Sequence, residues 1–197
     1  MAKRLFDWLA STFGLLALAP VLLLLAVWIK LDSPGPVFFR QERVGRGGML
    51  FRIHKFRTMV TDAERSGLQI TVGADARVTR VGQWLRKYKL DELPQLVDVW
   101  LGHMSLVGPR PEVPRYVACY PADVRDVVFS VRPGITDRAS IEFKDENLIL
   151  GSAADPHRAY VEEVLPIKLK YYVEYVETNS LLGDIQLIIR TFMALIR

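Results

Sequence analysis

The hydrophobic and polar positions divide the chain into an apolar N-terminal stretch and a longer mixed part. No charged residue occurs between Asp7 and Lys30, and residues 15–29 are almost purely aliphatic. This length approaches the roughly 20 residues that an α-helix needs to cross a bilayer, and residues 22–25 leave no polar side for solvent. The pattern predicts a membrane-embedded helix. The alternatives are a buried core helix and a cleaved signal peptide, but the apolar run continues past the small residues that imitate a cleavage site.

Pro20 lies in the middle of this apolar run. Proline removes a backbone donor and its ring clashes with the carbonyl four residues earlier, so we expect a kink or a break there. Lys3 and Arg4 precede the run and Lys30 follows it, so the positive-inside rule draws both ends to the cytoplasm. A re-entrant helix broken at Pro20 satisfies both flanks. A kinked spanning helix with a very short translocated tail is the alternative.

The mixed part opens with the turn signal Ser-Pro-Gly-Pro at residues 33–36. We therefore divide the chain into an anchor, residues 1–32, and a second domain, residues 33–197. Two short apolar segments, residues 37–43 and 50–55, flank a glycine-rich loop and predict a β-hairpin. That loop by itself is weak evidence for phosphate binding.

Helical spacing of apolar residues predicts at least three helices in the mixed part. One includes Val81, Leu85 and Tyr88, and a second is expected to open at Pro94, because proline is favoured at the first helical position. Near the C-terminus, apolar residues again recur at helical spacing: Leu181, Ile185, Ile188, Phe192 and Ile196. This last helix fits either a packed core or a membrane surface.

Composition narrows the function classes only a little. The 197 residues suit one domain of ordinary size, and Cys119 is the only cysteine, so no intramolecular disulfide can form. The three histidines show no metal-ligand spacing, and we expect no zinc site. A net charge of +4 is compatible with nucleic acid, anionic lipid or phosphorylated small molecules.

Adjacent carboxylates at Asp91 and Glu92 stand just before Pro94, at the predicted mouth of a helix. Unpaired N–H groups there favour an anion such as phosphate. Two carboxylates would repel a phosphate unless Mg²⁺ or arginines intervene. Acidic residues in a first helical turn also simply stabilise helices, and that interpretation stands unless further residues support a site.

Arginines supply the additional support. Arg110 and Arg132 each adjoin a proline rather than a regular solvated helix face, and Arg86 lies five residues before the acidic pair. The guanidinium fork suits phosphate oxygens. Each arginine alone is more often an ordinary surface or ion-pair residue, but together with an anchor and paired carboxylates they indicate phosphate chemistry at a membrane.

Five ordered motifs complete the pattern, namely GPVFFRQERVG at 35–45, KFRTM at 55–59, LDELPQ at 90–95, MSLVGPRP at 104–111 and VRPGIT at 131–136. Together they resemble the bacterial sugar transferase family, the monotopic phosphoglycosyl transferases, in its short form. The similarity runs from Lys3 to the C-terminal helix.

The resemblance implies an α+β, mainly helical fold. A re-entrant membrane helix broken at Pro20 would precede a small catalytic domain with a β-hairpin and amphipathic interfacial helices, on the cytoplasmic face of the bacterial inner membrane. Asp91 would be the nucleophile that takes up a phosphosugar, and Glu92 a metal-linked or proton-handling carboxylate. Mg²⁺ would be the cofactor, held by Asp91 and Glu92.

The resemblance also implies the substrates. A UDP-sugar would be the donor and polyprenyl (undecaprenyl) phosphate the acceptor, with UMP released, in the first membrane step of bacterial glycan assembly. The bilayer is then a partner and nucleic acid is not. The sugar, the length of the polyprenol and the formation of a homodimer stay open.

Two stretches depart from the family pattern. Many members carry Gly-Leu-Ala-Gln and then a phosphate-binding segment after residue 136, whereas this chain has Asp137-Arg138-Ala139-Ser140. Arg138 or Lys144 would replace the arginine of that segment, and we take Arg138 as the candidate. Tyr172 stands where many members have aspartate, so we leave that position out of the site.

Two other functions compete with this prediction. A membrane-tethered scaffold would also explain the anchor and the basic charge, although it would not require paired carboxylates at a helix mouth. A metal-dependent glycosyltransferase that moves sugar without its phosphate would release UDP instead of UMP.

Overall fold

Helices form most of the protein in the computed structural model, which describes residues 1–61, 63 and 75–196. The described helices are α1 (Ala2–Asp32), α2 (Arg80–Lys87), α3 (Gln95–Leu101), α4 (Pro114–Val117), α5 (Ala122–Val128), α6 (Arg138–Glu142), α7 (Glu146–Gly151), α8 (Pro156–Ala159), α9 (Leu165–Thr178) and α10 (Leu181–Ile196). The described strands are β1 (Phe38–Phe39), β2 (Glu42–Val44), β3 (Leu50–Arg52), β4 (Lys55–Phe56), β5 (Ser105–Val107) and β6 (Gly134–Thr136). The predicted mainly helical class is confirmed.

The first helix, α1, is long and apolar enough to cross a membrane by length and composition. Its backbone is helical from Ala2 to Asp32 without interruption, with Pro20 inside. The predicted break at Pro20 is therefore not seen as a gap in the helix. Proline deletes a single donor of the hydrogen-bond ladder, so the turns on either side can both remain helical. The re-entrant path of the helix stays a prediction.

Polar contacts attach the N-terminal end of α1 to the rest of the protein. Asp7 is buried, and its carboxylate accepts hydrogen bonds from Ser105 Oγ at 2.8 Å and from the Leu106 backbone N–H at 3.1 Å. Lys3 Nζ contacts the buried Asp184 of α10 and donates to the Val107 carbonyl at 3.1 Å. A buried carboxylate needs such partners because it loses its hydration, and these contacts fix the end of α1 against β5 and α10.

The C-terminal end of α1 packs against β4 and α2. Leu25 and Ile29 are buried in a cluster with Phe56 and Leu85. Just beyond them, Asp32 Oδ2 accepts a hydrogen bond from the Val81 N–H of α2 at 3.2 Å. The predicted boundary between residues 1–32 and 33–197 stays a prediction, and this core cluster crosses it.

The predicted hairpin is present as β2 and β3, paired antiparallel with Arg43 opposite Phe51. The loop between them contains Gly47 and Gly48 at φ 67° and 77°, a left-handed conformation that costs glycine little. The outer segments form a separate antiparallel pair, β1 with β4, while β5 and β6 pair in parallel. These three two-stranded sheets contain residues of the predicted motifs, and the pairs β1–β4 and β5–β6 each connect one motif to another.

A second core lies under α4, α5 and α9 and includes the buried rings of Tyr116, Tyr160 and Tyr172. One face of helix α10 packs against β5, β6 and α6, and Asp184 is buried there. Its other face exposes Leu181, Leu182, Ile185, Ile189, Phe192, Met193 and Leu195. An apolar stripe open to solvent fits the membrane-surface alternative for this helix better than the packed-core one.

Candidate active site

Asp91 and Glu92 lie in a 3-10 turn, Leu90–Glu92, that leads directly into α3. The helical path thus begins before Pro94, earlier than the sequence predicted, because Leu93 and Pro94 also have right-handed helical backbone angles. Lys89 precedes the turn in the left-handed conformation, at φ 54°. Asp91 is 2% exposed, so this turn places a carboxylate inside the protein rather than on its surface.

Lys55 joins the two carboxylates. Its Nζ lies 2.9 Å from Asp91 Oδ2 and 3.1 Å from Glu92 Oε1. The strand β4 holds Lys55 in place through the pairing of Phe39 with Lys55. Sequence reasoning placed Lys55 in a motif but gave it no role, since nothing in its own neighbourhood points to a partner 37 residues away.

Arg110 binds Glu92 with both terminal nitrogens. Nη1 donates to Glu92 Oε2 at 3.2 Å, and Nη2 contacts Oε1. Burial by itself raises the pKa of Glu92, but the charges of Arg110 and Lys55 outweigh it and hold that pKa well below its usual range. Glu92 in turn raises the pKa of Arg110. Glu92 is therefore an anion at neutral pH, which favours a role in placing cations over a role in proton transfer.

Arg86, in the last turn of α2, also interacts electrostatically with the pair. Its Nε donates to Thr58 Oγ1 at 2.8 Å. Burial lowers the pKa of Arg86, and the negative charge of Asp91 is the strongest influence opposing that shift. The structure thus brings Asp91, Glu92, Arg86 and Arg110 together, with Lys55 as an additional cation.

Two buried polar atoms in this turn and the next lack hydrogen-bond partners in the described part of the chain. They are Asp91 Oδ1 and Gln95 Nε2. Gln95 is 1% exposed and lies four residues after Asp91, so the two share a face of the helical segment. Buried groups without a partner are rare in folded proteins and are often explained by catalysis or ligand binding. Sequence reasoning missed Gln95, whose signal was its place in the LDELPQ motif.

The predicted Mg²⁺ site can be compared with these contacts. Both oxygens of Glu92 already contact Arg110 or Lys55, so Glu92 would have to release a cation before it could bind a metal. Asp91 Oδ1 has a free lone pair, and Mg²⁺ commonly binds one or two carboxylates together with substrate phosphates and water. Among the described residues no group of three or more His, Cys, Asp or Glu could hold a metal ion. Asp91 fits the predicted ion, and the metal stays a prediction.

Two predicted arginines lie elsewhere. Arg132 Nε donates to the Gly102 carbonyl at 2.8 Å, beyond the far end of α3 from Asp91. Arg138 pairs with Glu174 at 2.9 Å on the exposed side of α9 and stacks over Tyr171. Neither is brought to the carboxylate pair, and their predicted contact with phosphate stays a prediction.

The positions that depart from the family pattern lie near Arg110. Asp137 is buried and accepts hydrogen bonds from the Ser140 N–H and hydroxyl at 2.9 and 2.8 Å. Burial raises the pKa of Asp137, and Arg110 acts to lower it. Burial also raises the pKa of Tyr172, whose hydroxyl has no described partner. Arg110 therefore interacts electrostatically with a second buried carboxyl group besides Glu92.

Comparison with known proteins identifies the family of the chain. The profile of the family described as bacterial sugar transferase matches residues 1–197, and the chain belongs to that family. A UDP-N-acetylgalactosamine-undecaprenyl-phosphate N-acetylgalactosaminephosphotransferase from Aeromonas hydrophila is 38% identical over 98% of this chain and 43% of its own length.

Two further relatives differ in how much of them the chain covers. A UDP-glucose:undecaprenyl-phosphate glucose-1-phosphate transferase from Caulobacter vibrioides is 37% identical over 100% of this chain and 70% of its own length. The exopolysaccharide production protein PSS from Rhizobium leguminosarum is 54% identical over 55% of this chain and 54% of its own length. The chain thus spans about half of the Aeromonas and Rhizobium relatives.

Proposed function

We propose that this protein transfers a sugar 1-phosphate from a UDP-sugar to polyprenyl (undecaprenyl) phosphate and releases UMP, as the first membrane step of glycan assembly. The observation that carries the proposal is the state of Asp91. One of its oxygens is held by Lys55 at 2.9 Å, and the other is buried without a hydrogen-bond partner among the residues that the structure describes. The activities named for the Aeromonas and Caulobacter relatives support these substrate classes.

The reaction proceeds in two displacements at phosphorus. Asp91 Oδ1 attacks the phosphorus that carries the sugar, and the bond from that phosphorus to the oxygen of UMP breaks. UMP leaves with the bonding electrons, and an aspartyl phosphosugar remains. An oxygen of polyprenyl phosphate then attacks the same phosphorus, and the carboxylate of Asp91 is the leaving group. Two steps allow the soluble and the lipid substrate to use one site in turn.

The surrounding side chains support this chemistry in distinct ways. Lys55 fixes Asp91 Oδ2 and so presents Oδ1 to the phosphorus. Arg86 and Arg110 neutralise charge on the phosphate oxygens, and Glu92 holds Arg110 and Lys55 in position. Bound Mg²⁺ would supply further neutralisation of the phosphates.

Gln95 completes the set as a donor. Its buried Nε2 lies about one turn from Asp91 and has no hydrogen-bond partner in the described ranges of the chain. A non-bridging oxygen of the transferred phosphoryl group would accept this hydrogen bond when Asp91 attacks. The cost of a buried, unpartnered donor, about 1–3 kcal/mol, is then relieved only when substrate is bound, which favours the reacting complex.

The contacts of α1 support a location at the cytoplasmic face with both ends of the helix on that side. Lys3 at one end and Asp32 at the other both bind the domain. The apolar face of α10 would rest on the same membrane surface, and the basic residues that flank the apolar run support the cytoplasmic side.

Incubation of the purified protein with a UDP-sugar alone tests the covalent route. We expect protein heavier by one phosphosugar and about one UMP per active site. UDP-glucose and UDP-N-acetylgalactosamine are the first donors to compare, because the relatives' names specify them. Asp91→Asn should abolish the adduct, while Glu92→Gln should slow its formation, and thermal unfolding serves as the control for folding.

Three outcomes would contradict the proposal. They are release of UDP instead of UMP, an adduct mapped to a residue other than Asp91, and normal turnover by the Asp91→Asn protein. The first outcome would favour a glycosyltransferase that leaves the phosphate on the nucleotide.

A further inference from the structure

Three arginines meet at the C-terminal end of α3, away from the carboxylate pair. Arg4 donates to the Val99 and Trp100 carbonyls at 2.6 and 2.9 Å, and Arg132 Nε donates to the Gly102 carbonyl at 2.8 Å. The ring of Phe51, in the glycine-rich hairpin that carries Arg46, lies 5.8 Å from the ring of His103 and brings that hairpin to the same end. We call Arg4, Arg46 and Arg132 the arginine cluster.

The charges of the arginine cluster are poorly compensated. Burial lowers the pKa of Arg132 most, and the positive charges of Arg4 and Arg46 lower it further. The negative charge of Asp7 acts in the opposite direction. The carboxylate of Asp7 is already hydrogen-bonded to Ser105 and Leu106. The two terminal nitrogens of Arg132 and the guanidinium of exposed Arg46 take part in no hydrogen bond with the part of the chain that the structure describes. Their donors are thus available to an anion.

Apolar surface surrounds these donors. A cavity of about 350 Å³ is lined by Met1, Arg4, Leu5 and Trp8. Leu5 and Trp8 are 59% and 42% exposed, and the neighbouring Trp100 is 44% exposed. A cation at the edge of an open apolar surface that includes Leu5 and Trp8 matches a molecule with an anionic head and a hydrocarbon body.

The reacting phosphate is too distant to be the anion at this cluster. Eleven residues of mostly helical chain separate Asp91 from Gly102, which is about 16 Å at 1.5 Å per residue. A phosphate held by Arg132 lies well outside bonding distance of Asp91. The anion at this end must be one that does not react.

We propose that the arginine cluster binds the phosphate of an anionic phospholipid whose acyl chains lie along Leu5 and Trp8. The lipid holds the N-terminal end of α1 at the headgroup level, beside the carbonyls that Arg4 caps. The proposal goes beyond the proposed transfer reaction and gives Arg132 a ligand at the place where the structure puts it. It concerns lipid binding and does not depend on turnover.

The test measures lipid enrichment around the full-length protein in phosphatidylcholine nanodiscs. Energy transfer from tryptophan to a dansyl-labelled lipid reports which lipid lies near the protein, with dansyl-phosphatidylglycerol compared against dansyl-phosphatidylcholine. We expect clear enrichment of the anionic lipid. Arg46→Gln and Arg132→Gln should each reduce it about fivefold, the effect of one basic residue near an anionic surface. Arg46 is exposed and makes no described hydrogen bond, so its replacement leaves folding intact.

Matched controls separate a site from general charge attraction. Arg158→Gln removes the same charge from an exposed arginine of α8 and should leave the enrichment unchanged, whereas Arg46→Lys should retain part of it. Arg46→Gln should also release UMP normally in detergent, so a failure of the lipid site is distinguishable from a failure of the transfer reaction.

Three results would overturn the proposal. The first is equal enrichment of both lipids around the wild-type protein, and the second is an equal loss in Arg46→Gln and Arg158→Gln. The third is displacement of dansyl-phosphatidylglycerol by a short polyprenyl phosphate at stoichiometric concentration, which would assign the cluster to the acceptor.

Discussion

Replacing Lys55 by methionine removes the cation that touches both carboxylates while keeping a side chain of similar length. The change leaves Glu92 with Arg110 but takes from Asp91 a charged contact of 2.9 Å. A hydrogen bond to a charged group contributes about 1.5–3 kcal/mol, which corresponds to a fall of roughly tenfold to a hundredfold if the contact positions Asp91 in the transition state. Because Asp91 is 2% exposed, stability should fall as well, by up to about 3–5 kcal/mol for a broken buried pair.

The assay for Lys55→Met is single-turnover formation of the phosphosugar adduct, followed by intact mass with UDP-sugar alone. Lys55→Arg keeps the charge and should recover part of the rate. Lys87→Met is the matched control, since Lys87 is exposed on α2 and its described contact is the Tyr88 ring at 5.4 Å. If Lys55→Met forms adduct at the wild-type rate, or if Lys87→Met loses as much, the positioning role of Lys55 is refuted.

Three further predictions address acid stability, phosphate geometry and topology. Burial raises the pKa of Glu92, but Arg110 and Lys55 lower it by more, so this pKa is lower in the folded protein than in the unfolded chain. The ionised Glu92 therefore stabilises the fold fully above the pKa of an ordinary glutamate. This stabilisation is lost as the pH falls through the pKa that Glu92 has in the folded protein. Urea unfolding between pH 2 and 7 should therefore show a shallower acid dependence in Glu92→Gln, and an unchanged slope would contradict this. Arg110→Lys should lower adduct formation by at least tenfold despite the kept charge, because the two-nitrogen contact is lost, and normal kinetics would exclude that role. Pro20→Leu should shift part of the population to a spanning helix, detected by labelling a cysteine at position 2 from the periplasm in a Cys119-free background; labelling already in the parent protein would reject the re-entrant path.

The structural features that depend on residues close together in sequence could be predicted. The hairpin followed from two apolar segments around glycines, and the helical spacing of Val81 and Leu85 located α2. The carboxylate pair was recognisable because Asp91 and Glu92 are adjacent and precede a helix. In each case the deciding contacts lie within a few residues, so the linear pattern carries the information.

Contacts between distant segments were not predictable from such patterns. Lys55 meets Glu92 across 37 positions, and only the pairing of β1 with β4 decides where its side chain points. Arg132 stands beside a proline much as Arg110 does, yet it caps the Gly102 carbonyl beyond the opposite end of α3. A neighbouring proline indicates that an arginine lies in a loop, but it does not indicate the direction in which the arginine side chain points. The path of α1 through Pro20 also depends on what its two ends bind, beyond the local effect of proline.

The contact of Lys3 with Asp184 joins α1 to α10, over 181 positions. A ribosome that adds about 5–20 residues per second completes Asp184 roughly 10–40 s after Lys3. During that interval Arg4 and Asp7 can already bind the Val99 carbonyl and the Ser105 hydroxyl, which are made earlier. The ion pair with Asp184 is therefore the last of these contacts to become possible during synthesis, and it adds the final link between α1 and the rest of the protein.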